Sequence, residues 1–215
     1  MTTASKGWDI QFSELHYPDN LDLFKNTSAE VFESNDKHYC CLFYLVGEYK
    51  MLCYTGLVGI YKNKAAPELI FNSGHWFDYQ FSQTLYYCGE YVVLRKNEMY
   101  FERTKQTFSP FIVIHLELKE FTLIDFDFTS IYYSVEPLEK KKLKLKLINP
   151  NNLTSLRVGV ENKDGHVIDL TELAFLPFNQ LDHALMQYCE LKKTATNSPA
   201  KSWGRGWWQK LLGFK

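Results

Sequence analysis

Between Tyr39 and Leu170 the chain is cut into short segments dense in aromatic and branched side chains, each of strand length and each closed by turn residues. Tyr39-Cys-Cys-Leu-Phe-Tyr-Leu-Val46 is a continuous apolar run ended by Gly47-Glu48. A second run, Tyr49 to Tyr61, is broken by Gly56 and Gly59 and reads as a bent strand. Lys62-Asn63-Lys64 and Asn72-Ser-Gly-His75 are turns on either side of the strand Glu68-Leu-Ile-Phe71. Tyr91-Val-Val-Leu94 and Met99-Tyr-Phe101 flank the polar Arg95-Lys-Asn-Glu98 and predict a hairpin. Phe111–Leu118 and Phe121–Phe126 predict another across Lys119-Glu120. Leu143, Leu145 and Leu147 alternate with Lys142, Lys144 and Lys146. That period of two marks a half-buried strand with a solvated lysine face. Leu156–Val160 and His166–Leu170, joined through Asp164-Gly165, read as a hairpin. Roughly ten strands at this spacing predict a mainly β fold: a sandwich, a barrel or a propeller-like meander of hairpins.

The two ends differ from this body. Residues 1–37 are polar and mixed, with starts for a short helix at Asn20-Leu-Asp-Leu-Phe or Thr27-Ser-Ala-Glu. After Pro177, Phe178, Leu181, Leu185, Tyr188 and Cys189 recur in steps of three and four, which predicts one helix over 179–193. Residues 194–215 are a linker followed by an amphipathic, Trp-rich basic tail. The expected organisation is one β-rich domain, 1–193, carrying that appendage.

The net charge of −1 disfavours nucleic acid as a general partner, because counterion release needs a basic face. Cys40, Cys41, Cys53, Cys88 and Cys189 are odd in number, lack CxxC spacing and mostly sit in apolar runs. They read as reduced core residues of a cytoplasmic protein. The opening residues lack the apolar core of a signal peptide, and no stretch is long and apolar enough for a membrane-spanning helix.

Several groups bear on chemistry. No two of His16, His38, His75, His115, His166 and His183 have metal-ligand spacing, and His38 with Cys40 lacks a second cluster, so no metal or cofactor is expected. Cys88 with His75 or His115 would be a Cys–His pair if the fold joined them, the basis of a hydrolase-like alternative. Asp125 and Asp127 lie on one side of a strand. They suit acid–base work or a partner contact, although a solvated edge strand accounts for them more simply. In the tail, Trp203, Arg205, Trp207 and Trp208 combine the side chains preferred at protein–protein hot spots. The same tail suits docking on its own domain or peripheral contact with an anionic membrane, the basis of a scaffold or membrane-surface alternative.

Tyr-rich strands without a local catalytic signature point to a non-catalytic protein-binding module. The meander over Tyr39–Leu170, with Phe-Ile-Val-Ile-His-Leu-Glu-Leu-Lys-Glu-Phe-Thr-Leu-Ile at its centre, resembles bacterial toxin-immunity proteins in overall style. That resemblance implies a protein that binds a cognate toxin effector stoichiometrically and blocks its active site. The candidate contact residues are Trp203, Arg205, Trp207, Trp208, Asp125 and Asp127.

Overall fold

A computed structural model of the 215-residue chain describes residues 6–17, 28–50, 53–79, 86–88, 90–96, 99–101, 106–108, 110–124, 133–138, 141–147 and 166–195. It is mainly β, with antiparallel sheets of hairpins and one C-terminal helix. The first sheet contains β1 (Ser28–Glu33), β2 (Tyr39–Lys50), β3 (Cys53–Lys62) and β4 (Glu68–Asn72) in that order, and β5 (Phe77–Tyr79) also pairs β3. Next in the chain come β6 (Tyr86–Cys88), β7 (Tyr91–Arg95), β8 (Met99–Phe101), β9 (Gln106–Phe108), β10 (Phe111–His115) and β11 (Glu120–Ile124). They are followed by β12 (Tyr133–Leu138), β13 (Lys142–Leu147), β14 (His166–Asp169), β15 (Leu176–Pro177) and helix α1 (Leu181–Ala195). The second sheet runs β15-β11-β10-β7-β6 and the third β12-β13-β14, while β8 and β9 pair with each other. A bridge between Phe77 and Lys96 joins the first sheet to the second.

The apolar runs are continuous, rather than alternating, because both faces of the two larger sheets are covered. In β2, Cys41 and Phe43 face a core shared with Val58 and Ile60 of β3, Val92 and Leu94 of β7, and Ile112 and Ile114 of β10. Leu181, Ala184 and Leu185 of α1 close that core. The intervening Cys40, Leu42 and Tyr44 face a second core, capped by Trp8, Ile10 and Leu15 from the N-terminal segment. Similarly, Phe111 and Val113 of β10 meet Tyr91, Val93, Leu143 and Leu170 on the far side of the second sheet.

Several predicted boundaries move. Gly47-Glu48 does not end β2, which continues to Lys50 through register shifts between Tyr44 and Gly47 and between Glu48 and Lys50. β3 passes through both glycines and changes neighbour there: Gly59 lies opposite Asn72 of β4, and Gly56 opposite Phe77 of β5. A Cβ on Gly59 would lie 2.9 Å from Leu15 Cδ2, so this glycine admits the N-terminal cover. The predicted β7–β8 hairpin does not form. β7 pairs β6 and β10 and β8 pairs β9, because Arg95 and Lys96 remain buried within the sheet instead of turning away. Ser28-Ala-Glu begins a strand and no helix. Ser34 and Asp36 close a tight turn that returns Glu33 opposite Cys40.

The helix agrees with its sequence period, entering through a 3-10 turn at Phe178–Gln180 and extending to Ala195. The predicted β10–β11 hairpin forms, but it turns earlier than Lys119-Glu120: the turn is Leu116–Lys119, β10 ends at His115, and Glu120 opens β11 opposite it. β14 supplies one arm of the hairpin expected around Asp164-Gly165; the other arm lies outside the described residues, as does Asn20–Phe24.

Candidate functional site

Two titratable clusters have geometry that bears on chemistry. The first surrounds the turn between β10 and β11. His115 ends β10 directly opposite Tyr91 of β7 and Glu120 of β11. Its ring packs edge-on against Tyr91 at 4.6 Å and lies 6.1 Å from Phe175, which explains its burial. Nδ1 accepts the Leu118 N–H at 3.3 Å. In the neutral ring the proton therefore sits on Nε2, which is 3.5 Å from Glu90 Oε1. Glu90 also accepts from the Lys141 ammonium, and that hydrogen bond first, with Tyr91 second, holds the Lys141 pKa above its ordinary value. The imidazole has one nitrogen accepting from backbone and the other facing a carboxylate, so it clamps two turns and offers no lone pair to a reacting proton. Beside it, the Tyr39 hydroxyl donates to Glu117. Burial first, and this carboxylate second, push the Tyr39 phenol well above its ordinary range.

The second cluster lies where the two large sheets join. Asp78, Arg95 and Lys96 are all buried there. Arg95 Nε is 3.6 Å from Asp78 Oδ2, and its guanidinium lies 5.8 Å from the Phe111 ring centre. Lys96 Nζ donates to the Trp76 carbonyl at 3.2 Å. Burial lowers its pKa to about 8, against the opposing pull of Asp78 and Cys189. Nearby, His75 Nε2 meets Asp182 Oδ1 of α1 at 2.6 Å, and burial outweighs this carboxylate and lowers the imidazole pKa. The arrangement ties the β4–β5 turn to α1 and places a partly neutral amine beside it.

The residues singled out from sequence are dispersed. Across β6, β7 and β10, Cys88 lies opposite Tyr91 and Tyr91 opposite His115, so a strand separates that Cys–His pair, while His75 belongs to the other cluster. The His38 ring packs on Tyr39 at 4.7 Å, whereas Cys40 lies in the core under Trp8. Among the described residues no three His, Cys, Asp or Glu side chains gather to hold a metal. Burial raises the Cys40 thiol to about 12 and Cys41 well above its ordinary value, so both are protonated thiols. Iodoacetamide at about pH 8 is therefore expected to modify Cys40 and Cys41 only after the protein is unfolded in guanidinium, as peptide mass mapping would show. Their rapid alkylation in the native protein would contradict this placement.

The lysine strand forms as β13, with Lys142 and Lys144 half-buried on either side of Leu143. Leu143 is buried, Lys142 Nζ pairs with Asp169 Oδ2 at 3.2 Å, and Lys144 lies opposite Glu136. Asp125, Asp127, Trp203, Arg205, Trp207 and Trp208 lie outside the described residues. Sequence reasoning missed Glu90, Lys96 and Asp78, none of which belongs to a motif: Asp78 and Glu90 stand singly in the aromatic stretches Trp76–Tyr79 and Tyr87–Tyr91, and Lys96 lies in the polar Arg95–Glu98. No helix among the described residues is long and apolar enough to cross a membrane. Comparison of the chain with protein-family models, curated proteins and solved structures finds no match in any of the three.

Proposed function

We propose that this chain is a non-catalytic protein-binding module of the bacterial cytoplasm, which binds a cognate toxin and blocks its active site. The observation that supports this reading is the state of His115. The imidazole best placed for chemistry has Nδ1 occupied by a backbone N–H and Nε2 turned to Glu90, as expected of a structural clamp. The toxin as partner rests on the overall resemblance of the β meander to immunity proteins. Co-expression with the product of an adjacent toxin gene is the direct test. The expected result is a stoichiometric complex in which the toxin's activity is abolished. A toxin that remains fully active with the chain in excess would overturn the proposal.

One observation favours an enzyme instead: Lys96, a buried amine with a pKa near 8, is chemically suited to nucleophilic work. Turnover of any carbonyl substrate that is lost in Lys96→Met and retained in His115→Gln would favour that reading.

A further inference from the structure

The end of β7 and the buried side of α1 meet at the sheet junction and bring an amine and a thiol together. Lys96 follows β7, bridges Phe77 through its backbone and is 8% exposed. Its Nζ reaches the carbonyl of Trp76, the residue after His75, and His75 is held by Asp182 of α1. Cys189 lies two turns beyond Asp182 on the same line of the helix. It is one turn beyond Leu185, which packs in the core with Phe77 and Leu94. Its thiol, also 8% exposed, therefore lies on the side of α1 that faces the Trp76–Lys96 corner. The two groups bear on each other: together with Asp78, Cys189 opposes the loss of charge that burial imposes on Lys96.

A buried amine of this kind keeps a neutral share near physiological pH, and with it the lone pair that a nucleophile needs. The same burial admits hydrogen peroxide but hinders bulkier thiols. A sulfenic acid formed on Cys189 would then have the Lys96 amine as its neighbouring nucleophile, and sulfenic acids condense with nitrogen as well as with thiols.

We propose that Cys189 and Lys96 are a peroxide-sensitive pair, which oxidation joins through an Sγ–Nζ sulfenamide bond that staples α1 to the end of β7. In the first step Cys189 Sγ attacks one oxygen of hydrogen peroxide. The S–O bond forms, the O–O bond breaks, and the departing hydroxide takes the thiol proton as water. The sulfur is oxidised and the peroxide reduced. In the second step the Lys96 Nζ lone pair attacks that sulfur. The S–N bond forms, the S–O bond breaks, and the hydroxyl leaves with an amine proton as a second water. The sum is thiol, amine and peroxide giving sulfenamide and two waters.

The test treats the native full chain with hydrogen peroxide, quenches it with catalase and maps tryptic peptides by mass without reductant. The expected product joins the Lys96 and Cys189 peptides, is uncleaved at Lys96 and is lighter than the two free peptides by two hydrogens. Dithiothreitol is expected to restore both peptides. Because the staple closes a long loop, the melting temperature is expected to rise by about 5 °C or more with peroxide and to return on reduction. Cys189→Ser, and Lys96→Arg with its permanently protonated guanidinium, are each expected to give no crosslink and no shift. The serine variant changes a single atom, so it keeps the comparison valid if the arginine variant packs poorly. Peroxide treatment in guanidinium is expected to oxidise Cys189 without joining it to Lys96, since the pairing depends on the fold. A disulfide from Cys189 shows the same mass loss but leaves Lys96 open to trypsin, and it would overturn the inference. So would a sulfinic or sulfonic Cys189 beside an unmodified Lys96, or a Cys189 thiol that peroxide leaves intact in the folded protein.

Discussion

Replacing Trp8 by alanine is expected to destabilise the fold by about 3–5 kcal/mol, the usual range for deleting a buried aromatic side chain. Trp8 is 3% exposed although it lies only a few residues from the start of the described chain. With Ile10 and Leu15 it forms the lid over Cys40, Leu42, Tyr44, Leu57 and Tyr61, the outer face of the first sheet. The indole also donates from Nε1 to Glu33 Oε1 at 2.8 Å, where Lys64 Nζ converges at 2.6 Å. Both contacts hold the Glu33 carboxyl below its ordinary pKa, Lys64 more than Trp8. Alanine removes the packing and this bond together. Trp8→Phe keeps most of the ring and loses the bond, at about 1 kcal/mol, because Lys64 still satisfies the carboxylate. Urea denaturation should show a midpoint lowered by more than about 1 M for alanine and by well under half of that for phenylalanine. Equal midpoints for alanine and wild type would mean that residues 6–17 do not cover the sheet.

That lid marks a limit of what could be read from sequence. Strands β2, β7 and β10 were legible because dense branched and aromatic residues suit a pleated surface whatever lies on either side. A continuous run such as Tyr39–Val46 is what burial of both faces produces, since an exposed face would show polar residues at every second position. It could not say what covered them. Trp8, Ile10 and Phe12 alternate with Asp9, Gln11 and Ser13, but the run is short and ends in the 3-10 turn Phe12–Glu14 that brings Leu15 onto the same core, so its period alone does not announce a cover. The helix after Pro177 was legible for the opposite reason: a regular backbone imprints its period of three and four on Leu181, Leu185 and Cys189. The β7–β8 pairing was misread because Arg95 and Lys96 look like turn residues. Burying two cations requires Asp78, the Trp76 carbonyl and the Phe111 ring, contributed by β5, the β4–β5 turn and β10, which local reading cannot assemble. The same holds for the β10–β11 turn, whose contacts with Tyr39, Glu68 and Glu90 reach across distant parts of the sequence.

The second large effect concerns Lys96 and depends on pH. Its folded pKa is depressed from 10.5 to about 8, chiefly by burial, which corresponds to about 3 kcal/mol of preference for the neutral amine in the folded chain. Below about pH 8 the amine is protonated in both states, and the fold bears the whole cost of enclosing the charge. Between about 8 and 10.5 the unfolded chain keeps a proton that the folded chain has released, so stability rises with pH across that window. The buried phenols act in the opposite direction. Burial raises Tyr44 to about 12, and Tyr39, Tyr61 and Tyr79 are raised as well, so above about pH 10 the unfolded chain loses phenolic protons that the fold retains, and stability falls. The measurement therefore belongs between about pH 7 and 9.5, where the lysine contributes a gain of about 2 kcal/mol. Lys96→Met keeps the length and apolar stem of the side chain, and Asp78 retains Arg95. Groups shared by both proteins cancel when the variant's stability curve is subtracted from that of wild type. The difference is expected to move by about 2 kcal/mol in favour of wild type as pH rises through this interval. A difference that stays flat from about pH 7 to 9.5 would show that the ammonium is solvated at the sheet junction and that Lys96 is an ordinary surface lysine.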